Sequence, residues 1–145
     1  MTGARPLAGP AFIRRPTARA VVPVAVLAAA TAAVAYVGLV DPNQPGHYPT
    51  CPFLQLTGYY CPGCGTLRCL HVLAHGHLAQ ALGFNALTVA MLPLLAWMWL
   101  RWTVRTVRAS PRRTVAPAWS IRLLFWVIVV FWVVRNLPVG AALAP

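Results

Sequence analysis

Acidic residues are almost absent from this sequence: Asp41 is the only one, and because lysine is also missing, all 12 basic residues are arginine. Charged residues make up only 9% of the 145 residues, whereas soluble domains average about 25%. Hydrophobic residues reach 59%. A surface so poor in charge is not solvated by water, which excludes an ordinary water-soluble domain and indicates a protein of the lipid bilayer.

The formal net charge of +11 would suit a nucleic-acid-binding protein, but the arginines are in the wrong places for one. They flank the apolar runs and form no stripe on a polar domain. No charged residue sits in the middle of an apolar run, which argues against an ion or proton relay. The sequence therefore predicts two kinds of partner: the lipid bilayer, and other membrane proteins whose identity it does not give. It predicts no nucleic-acid partner.

Three apolar runs predict an all-α integral membrane protein with three transmembrane helices, over residues 20–40, 84–100 and 118–134. Each is long enough, at about 1.5 Å per residue, to cross most or all of a hydrocarbon core about 30 Å thick. A cleavable signal peptide is the alternative for the first run. We expect a disordered basic N-terminus over 1–19, one membrane domain over 20–138 and a tail over 139–145.

The arginines also predict an orientation. They concentrate before the first run and between the second and third, and these flanks should face the cytoplasm. The segment 41–83 would then be extracytoplasmic, in the inner membrane of a bacterial cell. The arginines of the two basic flanks are Arg5, Arg14, Arg15, Arg19, Arg101, Arg105, Arg108, Arg112 and Arg113.

All four cysteines lie in this one segment, which has the only pattern that could carry chemistry. The pattern Cys61-Pro62-Gly63-Cys64 predicts a helix start, with Cys61 at the N-cap, Pro62 in the first turn and Gly76 ending the helix. At 100° per residue this short helix is amphipathic. Its polar face would carry Cys64, Arg68, His71 and His75.

Three interpretations of these cysteines stay open. In a thiol–disulfide redox site, Cys61 and Cys64 would react, helped by the helix N-terminus and by Arg68. In a zinc or copper site, the candidate ligands are Cys51, Cys61, Cys64, His71 and His75. In a structural role, which we favour, Cys51 pairs with Cys61 or Cys64 in a disulfide that persists in an oxidising compartment.

Two other positions have structural expectations only. Cys69 points away from Cys64 on the predicted helix and should be a small buried hydrophobe. Asn85 lies at the start of the second apolar run and is a candidate N-cap for that span.

The motifs together resemble a bacterial membrane-protein family, domain of unknown function 2752. The shared pieces are Cys51-Pro52, Thr57-Gly58, Cys61-Pro62-Gly63-Cys64-Gly65, Arg68, His75-Gly76, Asn85 and Arg135-Asn136-Leu137-Pro138. The chain departs from the family pattern at Thr66-Leu67, where the family has Leu-Thr, and at His77 and Ala86, where it has Asp and Pro; Cys69 is additional. The resemblance implies a membrane location and few spans, and it supplies no reaction.

We therefore expect a non-enzymatic envelope protein that binds partners and has a disulfide-stabilised extracytoplasmic segment. The alternative is a membrane thiol–disulfide redox or metal-binding protein that acts through Cys61 and Cys64. No cofactor is required by the first of these expectations, whereas zinc or copper would belong to the second.

Overall fold

The structure is a computed structural model that describes residues 16–44, 46–110 and 117–144. The expected disorder of the N-terminus therefore falls mostly outside the described residues. The described part is built from helices and contains no strand, which confirms the all-α prediction. The helices are α1 (Pro16–Leu39), α2 (Pro52–Thr57), α3 (Thr66–Ala74), α4 (Leu78–Val107) and α5 (Ala118–Arg135), followed by a 3₁₀ helix (Pro138–Leu143).

Three of these helices are long and apolar enough to cross a membrane, as predicted: Ala18–Leu39, Leu78–Val107 and Ala118–Arg135. Their 22, 30 and 18 residues correspond to about 33, 45 and 27 Å at 1.5 Å per residue. Most of their apolar side chains are exposed, as they would be in contact with lipid tails. The chain is therefore a multi-pass membrane protein with apolar helices suited to the bilayer.

The long helices α1 and α4 run antiparallel. The indole Nε1 of Trp99, late in α4, donates to the carbonyl of Pro23, early in α1, at 3.3 Å. At the opposite end, Gly38 of α1 approaches Ala74 of α3 so closely that a Cβ at Gly38 would lie 3.2 Å from the Ala74 Cβ. The small α3 thereby packs between the end of α1 and the beginning of α4.

A break at Asn85 divides α4 into a short first part and a long second part. Asn85 has extended backbone (φ −163°, ψ 92°) inside an otherwise helical run. Its side-chain Oδ1 accepts a hydrogen bond from the Thr88 N–H at 3.0 Å, which is the bond an N-cap residue makes to the third residue of a helix. The long part therefore starts immediately after Asn85, and the short part stays near α3.

The small core lies where α3 meets the short part of α4. Cys69 and Ala81 are completely buried there, and Val72 is nearly so. Leu73, Phe84 and Val89 pack around them. This core fixes α3 and the preceding cysteine turn against the end of the helix bundle.

The start of α3 differs from the sequence prediction. The helix begins at Thr66, four residues after the position expected from the Cys61 N-cap. Gly65 has φ 82°, in the left-handed region that glycine adopts without cost, so a helix could not run through it from Pro62. Residues 61–65 form a turn instead, with the Cys64 N–H donating to the Cys61 carbonyl at 3.1 Å.

Candidate metal centre

Three of the four cysteines converge at one end of the helix bundle. The Sγ atoms of Cys51, Cys61 and Cys64 all lie within 4.8 Å of one another. The Cys51 and Cys61 sulfurs are 3.6 Å apart, and those of Cys61 and Cys64 are 2.9 Å apart. All are free thiols in this structure.

Cys51 is placed by the short helix α2. It stands at the N-cap of this helix, with Pro52 in the first turn, where a missing N–H costs nothing. The helix ends at Gly58, whose φ of 75° is the left-handed conformation of a C-terminal cap. The Thr57-Gly58 pair of the sequence pattern therefore ends α2, and the chain turns back toward Cys61.

The turn from Cys61 to Cys64 is closed by the cysteines themselves. Besides the backbone bond across the turn, the Cys61 N–H donates to the Cys64 Sγ at 3.2 Å. An N–H that points at a sulfur stabilises the thiolate more than the thiol, because a charged acceptor binds it more strongly. The turn is therefore suited to hold an ionised Cys64 once something else neutralises the charge.

Asn85 holds the same turn from the side of α4. Its Nδ2 donates to the carbonyls of Pro62 at 3.0 Å and Cys64 at 3.1 Å. The residue is completely buried. Its amide nitrogen bonds to the turn and its amide oxygen bonds to the helix. Asn85 therefore couples the kink in α4 to the position of the cysteine turn.

Arg135 holds the turn from the end of α5. Its Nη1 donates to the carbonyls of Cys61 at 3.0 Å, Cys64 at 3.2 Å and Pro62 at 3.3 Å. The side chain is only 1% exposed, and its guanidinium carbon lies 5.0 Å from the centre of the Phe131 ring. A positive charge is thus buried directly beneath the backbone of two of the three cysteines.

Asn136 joins the same region by a paired contact. Its Oδ1 accepts from the Tyr60 N–H at 2.8 Å, while its Nδ2 donates to the Tyr60 carbonyl at 2.9 Å. The amide group pairs with the backbone of Tyr60 as a neighbouring strand would. Arg135 and Asn136 therefore fix the chain before and within the turn to the C-terminal end of α5.

The cysteines differ in their protonation. Backbone N–H bonding from Leu54, at the start of α2, lowers the pKa of Cys51. Burial raises the pKa of Cys64 to about 12 and also raises the pKa of Cys69. Without a metal ion, Cys51 therefore ionises more readily than Cys64.

A cleft of about 440 Å³ opens onto the three sulfurs, and Arg68 and Tyr48 are also in its wall. Arg68 is half-buried, as befits a side chain between the cleft and solvent. The structure thus brings Arg68 to the same cleft as Cys61 and Cys64. A ligand that enters the cleft meets the sulfurs and a positive charge.

The two histidines lie outside the group of three cysteines. The Nδ1 of His71 donates to the Val37 carbonyl at 2.8 Å, and its Nε2 is 4.0 Å from Asp41. The Nδ1 of His75 donates to the His71 carbonyl at 2.8 Å. Both rings bond to backbone, and the contacts of His71 tie α3 to the end of α1.

Sequence reasoning did not anticipate the part played by Arg135, Asn136 and Tyr60. From the sequence alone, Arg135 is only the residue that follows the third apolar run. The signal was present, because Arg135 and Asn136 form part of the Arg-Asn-Leu-Pro pattern, but the pattern alone does not say which distant segment it contacts. Asn85 was assigned a cap, and the second use of its amide group was also missed.

Residues 51–99 match the model of a family described as "Protein of unknown function (DUF2752)". This confirms, over that stretch, the resemblance to domain of unknown function 2752. The matched stretch contains all three cysteines of the cluster and Asn85, and it ends before Arg135. No curated protein and no solved structure matches the chain.

Proposed function

We propose that this membrane protein binds a metal ion, with zinc as the first candidate, through the thiolates of Cys51, Cys61 and Cys64. One observation carries the proposal: three sulfurs from two separate segments converge within 4.8 Å of one another. A disulfide, whether structural or redox-active, uses only two sulfurs at a time. A metal ion uses all three.

The distances are compatible with this use. Zinc binds thiolates at about 2.3 Å in a tetrahedron, which separates two sulfurs by about 3.8 Å. The Cys51–Cys61 separation of 3.6 Å is close to that value. The Cys61–Cys64 separation of 2.9 Å would need to widen by about 1 Å, which a rotation of one cysteine side chain in a turn can provide.

Three protein ligands leave the fourth position of a tetrahedral ion free. In zinc sites, a free position is the mark of a centre that exchanges ligands, whereas closed sites with four protein ligands are structural. Here the free position would face the cleft that contains Arg68. In this proposal the chain is a non-enzymatic protein of the bacterial cell envelope that presents a bound metal ion to a partner or a small ligand.

The test is the metal content of the full-length protein purified in detergent. We expect about one zinc ion per chain, and we expect Cys51→Ala, Cys61→Ala and Cys64→Ala each to remove it, because two thiolates hold zinc weakly. Cys69→Ala is the matched control, since Cys69 is buried in the core between α3 and α4 and should leave the zinc in place. Metal-free protein from zinc-replete cells, with its thiols reduced, would contradict the proposal.

A second candidate is thiol–disulfide exchange, favoured by the short separation of the Cys61 and Cys64 sulfurs. A disulfide needs about 2.05 Å, so closing this pair takes a movement of about 0.9 Å. If redox exchange is the function, Cys64→Ser should trap a mixed disulfide between Cys61 and a partner thiol, detectable as a larger species on a non-reducing gel. Cys69→Ser should trap none. A Cys51 disulfide to Cys61 or Cys64 would show instead as a protein that lacks metal and contains a constant intramolecular disulfide.

A further inference from the structure

Arg135 is a buried charge whose side chain is incompletely satisfied. Its Nη1 is used by the three turn carbonyls, but its Nε and Nη2 have no hydrogen-bond partner among the residues that the structure describes. The residue is 1% exposed, so bulk solvent does not reach these atoms. A buried cation without a counter-charge is costly enough to require an explanation.

No carboxylate side chain among the described residues is placed to be that counter-charge. Asp41 is the only acidic residue of the sequence, and its carboxylate lies by His71 and bonds to Asn43. The groups near Arg135 that can become negative are the sulfurs of Cys64 and Cys61 and the phenol of Tyr60, whose charges would interact favourably with the guanidinium. Of these, only the two sulfurs belong to the group of side chains that can hold a metal ion. The counter-charge of Arg135 therefore has to be sought in the cysteine centre.

Counting charges gives a simple balance. Three thiolates contribute −3 and a divalent ion contributes +2, which leaves the loaded centre at −1. One buried guanidinium makes the total zero. Burying a neutral assembly avoids most of the desolvation cost that a net charge would impose.

We infer that Arg135 is the counter-charge of a three-thiolate centre that holds a divalent cation. This inference rests on the proposed metal-binding function and adds to it the charge of the ion and a positioning residue. Arg135 touches no metal ion; it acts through the ligands, by compensating their charge and by bonding the carbonyls of the turn that presents them. Outer residues of this kind typically alter metal affinity by about 10–100-fold when they are replaced.

The experiment is a zinc titration of the full-length protein in detergent against a competing chelator. Arg135→Gln keeps an N–H donor for the turn carbonyls but removes the charge, and we expect it to weaken zinc binding by about 10–100-fold. Arg135→Lys keeps the charge and should bind zinc at least about fivefold more tightly than Arg135→Gln. Arg105→Gln is the control, because Arg105 lies in the last turn of α4, at the opposite end of the bundle from the cysteines, and its effect should stay within about threefold.

A second background separates charge from structure. Cys51→Ser holds zinc only weakly through its two remaining thiolates, so its affinity is measured by direct titration without the chelator. Two thiolates and a zinc ion already sum to zero, so Arg135 has no negative charge left to compensate there. Adding Arg135→Gln to Cys51→Ser should therefore change zinc affinity by less than about threefold. If Arg135 only supports the turn, its replacement should cost the same in both backgrounds.

The outcomes distinguish the two claims. Wild-type protein that binds no zinc would overturn the proposed function. The other case is a wild-type protein that does bind zinc. If Arg135→Gln then binds zinc as tightly as wild type, the inference alone is overturned. The same holds if Arg135→Gln costs as much zinc affinity in the Cys51→Ser background as in the wild-type background. If Arg135→Gln fails to fold, as judged by its helical circular dichroism, Arg135→Lys decides: a folded variant that binds more than about 100-fold more weakly than wild type would contradict the role of charge.

Discussion

At the scale of single residues, the cysteines of the cluster are unequal although they almost touch. Cys51 lies at the start of α2, where N–H bonding from Leu54 lowers its pKa. Cys64 is 7% exposed, and burial raises its pKa to about 12. A metal ion that binds all three sulfurs therefore has to displace the proton of Cys64, and its affinity should rise with pH.

This inequality predicts an order of alkylation in the reduced, metal-free protein. At about pH 7, iodoacetamide should modify Cys51 before Cys64, because the thiolate is the reactive form. Between about pH 7 and about pH 9 the rate at Cys64 should rise about tenfold per pH unit, since the whole range lies below its pKa, whereas the rate at Cys51 should level off earlier. Peptide mass spectrometry gives each rate.

The buried Cys69 is the internal control for this order, because it is completely buried and should react last in the folded protein. Unfolding in denaturant should make all four rates similar. If Cys64 is modified before Cys51 in the folded protein, Cys64 ionises more readily than Cys51, which contradicts this prediction.

At the scale of elements, the long helices were predictable because their signal is local. An uninterrupted apolar run specifies a span by itself, and the predicted runs 20–40, 84–100 and 118–134 fall largely within α1, α4 and α5. The boundaries were less accurate: α4 begins at Leu78 and runs to Val107, because the residues on both sides of the apolar run also favour helix. The length of an apolar run limits the part of a helix that can lie in the membrane, but it does not determine where the helix itself ends.

The cysteine turn was only partly predictable, for a physical reason that applies at Gly65. The sequence contains a good N-cap pattern at Cys61 and Pro62, which by itself predicts a helix from Pro62. The left-handed backbone of Gly65 moves the helix start to Thr66 and leaves Cys61 and Cys64 on a turn. A glycine shortly after a proline can continue a helix or interrupt it, and the packing of the chain decides between these outcomes.

The contacts from α5 were not predictable, because Asn136 and Tyr60 are 76 positions apart. A single sequence has no signal for contacts at that separation, and hydrophobic periodicity does not register an amide group that bonds to backbone. The same is true of Arg135, 74 positions from Cys61. These contacts determine where the turn that carries Cys61 and Cys64 sits, so the site could be named from the sequence but its construction could not.

The paired contact of Asn136 gives a prediction for the way in which α5 holds the turn. Asn136→Ala removes both hydrogen bonds to Tyr60, each worth about 1 kcal/mol. The Tyr60 amide should then exchange with deuterium about tenfold or more faster than in the wild type. Hydrogen–deuterium exchange on the peptide that covers residues 59–61, in detergent, measures this change.

Asn43→Ala is the matched control for this prediction, since Asn43 is exposed and, among the described residues, its hydrogen bonds stay within the turn at Asp41. It should leave the exchange of the Tyr60 peptide unchanged. Equal protection of Tyr60 in wild type and Asn136→Ala would mean that α2 and the core, rather than α5, hold this segment.

At the scale of the whole molecule, the site depends on three helix ends that meet on one side of the bundle. The end of α1 contacts α3 through His71 and the Val37 carbonyl. The kink of α4 and the end of α5 share the carbonyls of Pro62 and Cys64, through Asn85 and Arg135. Because the chain alternates direction between successive spans, these three ends lie on the same side of a membrane, and the cysteine segment is on that side as well.

The arginines predict which side this is. Arg101, Arg105 and Arg108 lie at the far end of α4, opposite the cysteines. The helix α1 begins at this same end, with Arg19 in its first turn and three further arginines before it in the sequence. Since segments rich in arginine are retained in the cytoplasm, we propose that the cysteine centre faces outward. After treatment with an impermeant reductant and a chelator, an impermeant maleimide should label Cys51 and Cys61 in intact cells whose inner membrane is accessible.

The matched control places a thiol at the other end of the molecule. Ser110→Cys, just beyond α4, is introduced into a variant in which Cys51, Cys61, Cys64 and Cys69 are replaced by alanine. This thiol should be labelled only after the membrane is broken, because the reagent cannot cross lipid. The reverse pattern, with Ser110→Cys labelled in intact cells and the native cysteines protected until lysis, would place the centre in the cytoplasm. It would then be reached by cytoplasmic zinc and reductants, and a persistent disulfide there would be excluded by the redox conditions.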